Sequence, residues 1–208
     1  MAAQQSIQRL ATLSPDSQWD HALKGEIYAD NDKSAEAIRE FQETLKKDPN
    51  FPGVHFALGQ IYWKMSQPVQ AEEELLLALG EDPNHPFANY YLADLMVKEQ
   101  RFEDALPLLQ VSVTGNPELM MAHFLMGKTL LSLGRFDAAL QALLTAAKLD
   151  PSHKPTHYQL AQVYARLNDK LNSEKHSEIF RSLTEKEREK IGEKVLPKTE
   201  SEMPQSQK

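Results

Sequence analysis

The sequence predicts an all-α solenoid built from antiparallel helix pairs, and three observations carry that prediction. Five prolines, Pro15, Pro49, Pro83, Pro117 and Pro151, stand 34 residues apart. Small and large apolar residues recur on the same lattice, which marks an internal structural repeat. Between successive prolines the apolar residues keep helical spacing on both sides of a short polar break such as ADNDKS or LSLGR.

With Gln18 as the first residue of a unit, five units follow: 18–51, 52–85, 86–119, 120–153 and 154–187. Their eighth residues are Gly25, Gly59, Ala93, Gly127 and Ala161, small enough for two helices to approach closely. The eleventh column reads Tyr28, Tyr62, Met96, Leu130 and Tyr164. In the predicted second helix, the twentieth column is Ala37, Ala71, Ala105, Ala139 and Ser173, and the twenty-fourth is Phe41, Leu75, Leu109, Leu143 and Ser177. The lattice prolines lie in the turns SPDS, before the first unit, and DPNF, DPNH, NPEL and DPSH, which close the first four, each stopping one helix and letting the next begin.

These residues resemble tetratricopeptide repeats, over about residues 3 to 187. The resemblance rests on the 34-residue period, the small columns, the aromatic or aliphatic eleventh column and the closing proline. It implies a right-handed superhelical solenoid whose first helices line a concave groove. It also looks like a bacterial member of that family. The sequence departs from the family pattern in the fourth column, where Trp is common and this chain has His21, His55, Asn89, His123 and His157. Lys24 replaces a large apolar residue, and Ser173, Ser177 and Glu185 make the last unit the least regular.

The ends are read separately. Counting back from Pro15 puts Ala3, Ile7 and Leu10 in the columns of a second helix, so residues 1–17 are a leading half-repeat or an N-terminal capping helix. An exposed half-unit needs a cap or a neighbour, and a longer parent array and a single capping helix both fit. Thr184 and Glu187 have capping-box spacing and predict the start of a solvating cap helix that runs into 188–208, the last 13 residues of which have a disordered composition.

Composition narrows the function. The chain has 208 residues, 23 basic and 30 acidic side chains, a formal charge of -7 and no Cys. That excludes a disulfide framework, thiolate zinc and a cysteine nucleophile. Residues 184–208 hold 6 basic and 6 acidic groups, so the acidity lies in the body of the chain and argues against nucleic acid as a partner. No stretch approaches the roughly 20 apolar residues of a membrane span, and the first residues lack signal-peptide order. As given the chain reads as cytoplasmic, with the compartment of any longer exported parent undetermined.

At about 100° per residue, columns four, eight and eleven of the first helix share one face, while two, five, nine and twelve share another about 130° away. Column five of this second face reads Ala22, Phe56, Tyr90, Phe124 and Tyr158. Column twelve adds Trp63, and column two adds Trp19, Phe87 and Met121. Column nine sets a polar group beside each, as Glu26, Gln60, Asp94, Lys128 and Gln162. Repeats spaced on the order of 10 Å give a ladder of roughly 30 Å from Phe56 to Tyr158, which about nine extended residues would span. The expected peptide-binding residues are therefore Phe56, Gln60, Trp63, Phe87, Tyr90, Asp94, Phe124, Lys128, Tyr158 and Gln162. The competing reading packs column five against the adjacent unit. The Lys, Asn and Arg clamp with which some relatives hold a carboxylate-ending tail is absent from these columns.

The four fourth-column histidines, His21, His55, His123 and His157, lie on different units, too far apart for one tetrahedral site, and are read as core residues; no metal or cofactor is expected. No nucleophile elbow, HExxH or glycine-rich phosphate loop is present, so no enzyme is expected. Pro68 suits a first helical turn, whereas Pro107 inside EDALPLLQ predicts a local kink. The chain is thus expected to be a non-catalytic scaffold that binds a peptide or protein segment in an aromatic-lined groove. The alternatives are a homo-oligomeric array joined through the terminal half-repeat, or the interaction arm of a larger enzyme or membrane assembly.

Overall fold

The computed structural model describes residues 14–195, with side chains to residue 189. The leading half-repeat with Ala3, Ile7 and Leu10, and the tail beyond residue 195, lie outside the described residues. Among the described residues ten helices form five pairs: α1 (Gln18–Asp30) with α2 (Ser34–Lys47), α3 (Val54–Lys64) with α4 (Pro68–Glu81), α5 (Pro86–Lys98) with α6 (Phe102–Gly115), α7 (Met120–Ser132) with α8 (Phe136–Leu149), and α9 (Lys154–Arg166) with α10 (Lys170–Val195). No strand occurs among the described residues. None of the described helices is long and apolar enough to cross a membrane.

Two kinds of turn alternate. Inside each pair the chain passes through the left-handed region at the fifteenth column, at Asp32, Ser66, Gln100, Gly134 and Asn168. The next N–H, from Lys33, Gln67, Arg101, Arg135 or Asp169, reaches back to the carbonyl of Tyr28, Tyr62, Met96, Leu130 or Tyr164 at 2.8–2.9 Å, closing a Schellman motif. Between pairs, the Asp or Asn before each lattice proline accepts from the N–H two residues on: Asp48 from Asn50, Asp82 from Asn84, Asn116 from Glu118 and Asp150 from Ser152, at 2.8–3.2 Å.

Contacts are strongest within each pair, as the small eighth column requires. A Cβ added to Gly127 would lie 2.5 Å from Leu143 Cγ, and one added to Gly59 would lie 2.8 Å from Leu75 Cγ. Leu75, Leu109 and Leu143 of column twenty-four, with Ala37, Ala71, Ala105 and Ala139 of column twenty, are fully buried opposite them. First helices of successive units also touch one another, α3 with α5, α5 with α7 and α7 with α9, whereas contacts between second helices are weaker or absent. The array therefore curves as a right-handed solenoid with the first helices on its inner side.

The fourth column explains why histidine can stand where relatives carry Trp. His123 and His157 present Nε2 to the carbonyls of Pro117 and Pro151 at 2.9 Å, and Asn89 donates to that of Pro83 at 3.0 Å. In the last three units the column thus ties the first helix to the turn before it. Toward the second helix, His21 and His55 meet Glu40 and Glu74 at 2.7 Å, whereas His157 meets His176, with 3.0 Å between their Nδ1 atoms. His157 and His176 are buried and stacked, and His176 also lies flat against Tyr164.

One expectation is overturned, at the far end of the chain. The predicted cap helix does not start at Thr184: α10 continues unbroken for 26 residues, and the Thr184 hydroxyl donates back to the Phe180 carbonyl at 2.8 Å. Glu185 occupies the lattice position of the missing proline, so nothing there removes a backbone donor and the helix carries on. An ion pair from Lys154 to Glu187 straps this extension to α9. Pro107, where a local kink is expected, lies inside α6 and is exposed, while Ala105 and Leu109 are fully buried on either side. Lys24 is exposed and pairs with Asp20 at 2.8 Å, without entering the core.

Two outcomes follow. In thermal or urea unfolding, Gly127→Val is expected to cost on the order of 2–3 kcal/mol through overpacking against Leu143. Gly80→Ala, where an added Cβ meets nothing within 4 Å, is expected to gain roughly 0.5–1 kcal/mol. Equal effects at the two sites would contradict close packing at the eighth column. The histidines give the second outcome. At His21 burial opposes protonation, but hydrogen bonds to Glu40 and Asp16 prevail and raise its pKa, so its contribution is present below about pH 6.5 and lost as pH rises through the folded value. Burial, followed by the charges of His157 and Lys175, lowers His176, so its contribution is present above about pH 6.5 and lost as pH falls through the folded value. Amide hydrogen exchange compared at about pH 7 and about pH 5 should therefore show protection falling in α9–α10 and holding in α1–α2. Unchanged α10 protection would count against it.

Candidate peptide-binding groove

Columns two, five, nine and twelve lie on the first helices, α1, α3, α5, α7 and α9, and so on the inner side of the curve. The structure divides the ten expected residues into groups. Phe87 and Tyr158 are open, at 38% and 48% exposure, and Met121 beside them in column two is 37% exposed. Tyr90 is buried, at 8% exposure. Burial, then the charges of Asp94 and Tyr91, pushes its phenol up to about 12. Phe56, Trp63 and Phe124 are half-buried in the joints between units.

Those joints are aromatic and polar together. Phe56 packs against His85 at 4.3 Å between ring centroids, and Phe124 against His153 at 4.9 Å. Trp63 lies 4.8 Å from Tyr91, and Lys98 stands over the Trp63 ring at 4.9 Å. The Trp63 indole N–H donates to Asp94 Oδ2 at 2.7 Å, and the same oxygen accepts from Lys98 at 2.7 Å. Gln60 donates to the Tyr91 hydroxyl at 2.9 Å. Two of the polar groups expected to face a ligand, Gln60 and Asp94, are therefore engaged between the second and third units, while Asp94 Oδ1 carries no hydrogen bond among the described residues. Lys128 is exposed and Gln162 half-buried.

Sequence reasoning missed Tyr91, the centre of this joint, which meets Phe56, Trp63 and Tyr90 at 6.2, 4.8 and 5.2 Å. Its column reads Leu23, Ala57, Tyr91, Leu125 and Gln159, so no periodic signal could have raised it. His85 and His153 were missed as well, although both occupy the last column of a unit and both support a column-five ring. Trp19, expected on the groove face, is instead half-buried against Phe51 at 4.6 Å.

Two pockets open along the inner rim. One, of about 270 Å³ between the second and third units, is mostly apolar and bounded by Trp63, Pro68, Leu95 and Lys98. The other, of about 440 Å³ between the fourth and fifth, is bounded by Lys128, Ser132, Gln159, Gln162 and Arg166. The first is suited to an apolar side chain, and the second to hydrogen bonding and negative charge. Among the described residues, no cluster of three or more His, Asp and Glu is placed to hold a metal ion.

The family description "TPR repeat" matches residues 25–66 and 127–168, and "Tetratricopeptide repeat" matches 52–85. "Anaphase-promoting complex, cyclosome, subunit 3" matches residues 73–146. No curated protein matches the chain. Among solved structures, MamA of MSR-1 is similar at 25% identity and a TM-score of 0.69, covering 82% of this chain and 98% of that one. MamA from Desulfovibrio magneticus RS-1 is similar at 22% identity and a TM-score of 0.71, over 85% of this chain and 97% of that one. YrrB, described as a TPR protein with an unusual peptide-binding site, is similar at 18% identity and a TM-score of 0.74, over 91% of this chain and 98% of that one. The sequence lattice, the five helix pairs and these matches together place the chain in the tetratricopeptide-repeat family.

Proposed function

We propose that this chain is a non-catalytic interaction scaffold that binds a peptide or protein segment along the inner face of its first helices. Interaction with other proteins is in keeping with its repeat family. The observation that carries it is the run of open apolar side chains, Phe87, Met121 and Tyr158, on a face whose neighbouring rings are held by packing. Rigid aromatic surface that stays partly exposed in the free protein can be buried by a ligand at little ordering cost. YrrB, of the same fold, has a peptide-binding site, which accords with this reading.

The role of each residue follows from its burial. Phe87, Tyr158 and Lys128 meet the ligand directly. Phe56, Trp63 and Phe124 offer one edge to it and hold a joint with the other. Gln60 and Gln162 have amide groups that can bond a backbone, and Asp94 offers its Oδ1. Tyr90 supports the floor from beneath.

The test is capture of partners from lysate, read by mass spectrometry, on the full chain. Phe87→Ala with Tyr158→Ala is expected to leave the unfolding free energy within about 0.5 kcal/mol per site, because both are exposed, and to lose the captured partners. Tyr90→Ala is expected to lose about 3 kcal/mol of stability. Retention of every partner by the folded double variant would move the interface off this face.

A further inference from the structure

The charges of the groove are unevenly distributed, and their pattern specifies the ligand further. In columns nine and thirteen the five units read Glu26 and Asp30, Gln60 and Lys64, Asp94 and Lys98, Lys128 and Ser132, then Gln162 and Arg166. The third unit neutralises itself through the Asp94–Lys98 pair. The second, fourth and fifth units carry only cations and neutral polar groups in these columns, and the fourth and fifth are neighbours. Lys128 and Arg166 border the same 440 Å³ pocket, no carboxylate borders it, and neither cation has an acidic partner among the described residues.

The chain as a whole holds 30 acidic and 23 basic residues. Some of its other cations are met by acids, Arg101 by Glu72, Glu99 and Asp104 and Arg135 by both carboxylate oxygens of Glu103; what sets Lys128 and Arg166 apart is that the two share one concavity with no carboxylate on its border. A concavity holding two unmatched cations in an acidic molecule focuses positive potential where a ligand enters. Its donors suit a carboxylate: an ammonium, a planar guanidinium fork and the two amides of Gln159 and Gln162. The apolar pocket beside Trp63 lies two units away.

Building on the groove reading above, we propose that the bound segment carries an acidic side chain seated between Lys128 and Arg166, about six residues from a large apolar side chain seated beside Trp63 and Leu95. The spacing follows from two repeats of roughly 10 Å each and an extended rise of about 3.3 Å per residue. An internal side chain fits better than a chain end, because apolar surface continues beyond the pocket: Tyr158 is 48% exposed, with Phe180 5.6 Å from it. A segment running on over that surface presents a side chain to the pocket as it passes.

The experiment is selection of displayed random peptides of about twelve residues on the full chain, a length that exceeds the roughly 30 Å ladder. Chosen peptides are then measured by fluorescence anisotropy against the wild type, Lys128→Glu with Arg166→Glu, and Phe87→Ala with Tyr158→Ala. All four substituted positions are solvent-exposed, and thermal melts establish that the variants are folded. The expected consensus has Asp or Glu about six positions from an aromatic or long aliphatic residue. Charge reversal should weaken those peptides by roughly tenfold or more and select Lys or Arg at the acidic position instead. Amidating the peptide carboxyl end should change nothing. A consensus without acid, bound equally by wild type and the charge-reversed variant yet lost in Phe87→Ala with Tyr158→Ala, overturns the acidic ligand and leaves groove binding standing. Affinity that disappears on amidation overturns the side-chain assignment in favour of a chain end. Peptides indifferent to both variants, or no binders at all, overturn the groove reading and this proposal together.

Discussion

Everything in this protein depends on how closely two helices of a pair approach at one column. Glycine or alanine in the eighth position lets the second helix bring Phe41 in the first unit, and a buried leucine in the next three, against the backbone of the first. No space is left for a Cβ at Gly127 or Gly59, so the crossing of each such pair is set sterically. Identical pairs joined by nearly identical turns add the same small rotation at each step. The curvature, and with it the inner face, follows from that repeated contact. The turns keep the same register throughout: a left-handed residue inside every pair and an Asx-bonded proline turn between pairs.

On the groove reading proposed above, the inner face has two jobs that compete for the same side chains. Joints between units need apolar and hydrogen-bonded contacts to make the array rigid, and a binding surface needs such groups left open. The chain separates the two along its length. Between the second and third units Trp63, Tyr91, Gln60 and Asp94 bond across the joint, giving a stiff, satisfied wall. Between the fourth and fifth, Lys128 and Arg166 border a wet pocket with Tyr158 exposed nearby. A rigid half and an open half suit recognition, because the ordering cost of binding falls when part of the site is held in advance.

Polar residues in the fourth column give the fold a second bonding scheme. Asn89, His123 and His157 each bond the carbonyl of the proline turn six residues before, a group with no helical partner of its own. Across the pair, the column that supplies its partner reads Glu40, Glu74, Leu108, Ala142 and His176. The histidine at the start of the array is held by carboxylates, which favour its protonated form, and the one at its end is buried against another histidine, which disfavours it.

The amino-acid sequence by itself determined the repeat, because steric and turn requirements act on fixed columns. Proline stops a helix wherever it stands, and a close crossing demands a small residue in every unit, so a 34-residue lattice is legible without coordinates. The same logic read the far end incorrectly only where the lattice lapses: Thr184 and Glu187 had the spacing of a cap, but without a proline at position 185 the helix continued and the threonine turned back to Phe180. The groove was legible as a face and not as a set of contacts. Columns two, five, nine and twelve do lie on the inner helices, yet tertiary structure alone decided that Tyr90 is buried and Tyr158 open, that Asp94 serves Trp63 and Lys98, and that Tyr91 holds the central joint. Periodicity fixes the direction in which a side chain leaves its helix. What it meets is set by residues about 31 positions away in the next unit, whose identities vary from one joint to another.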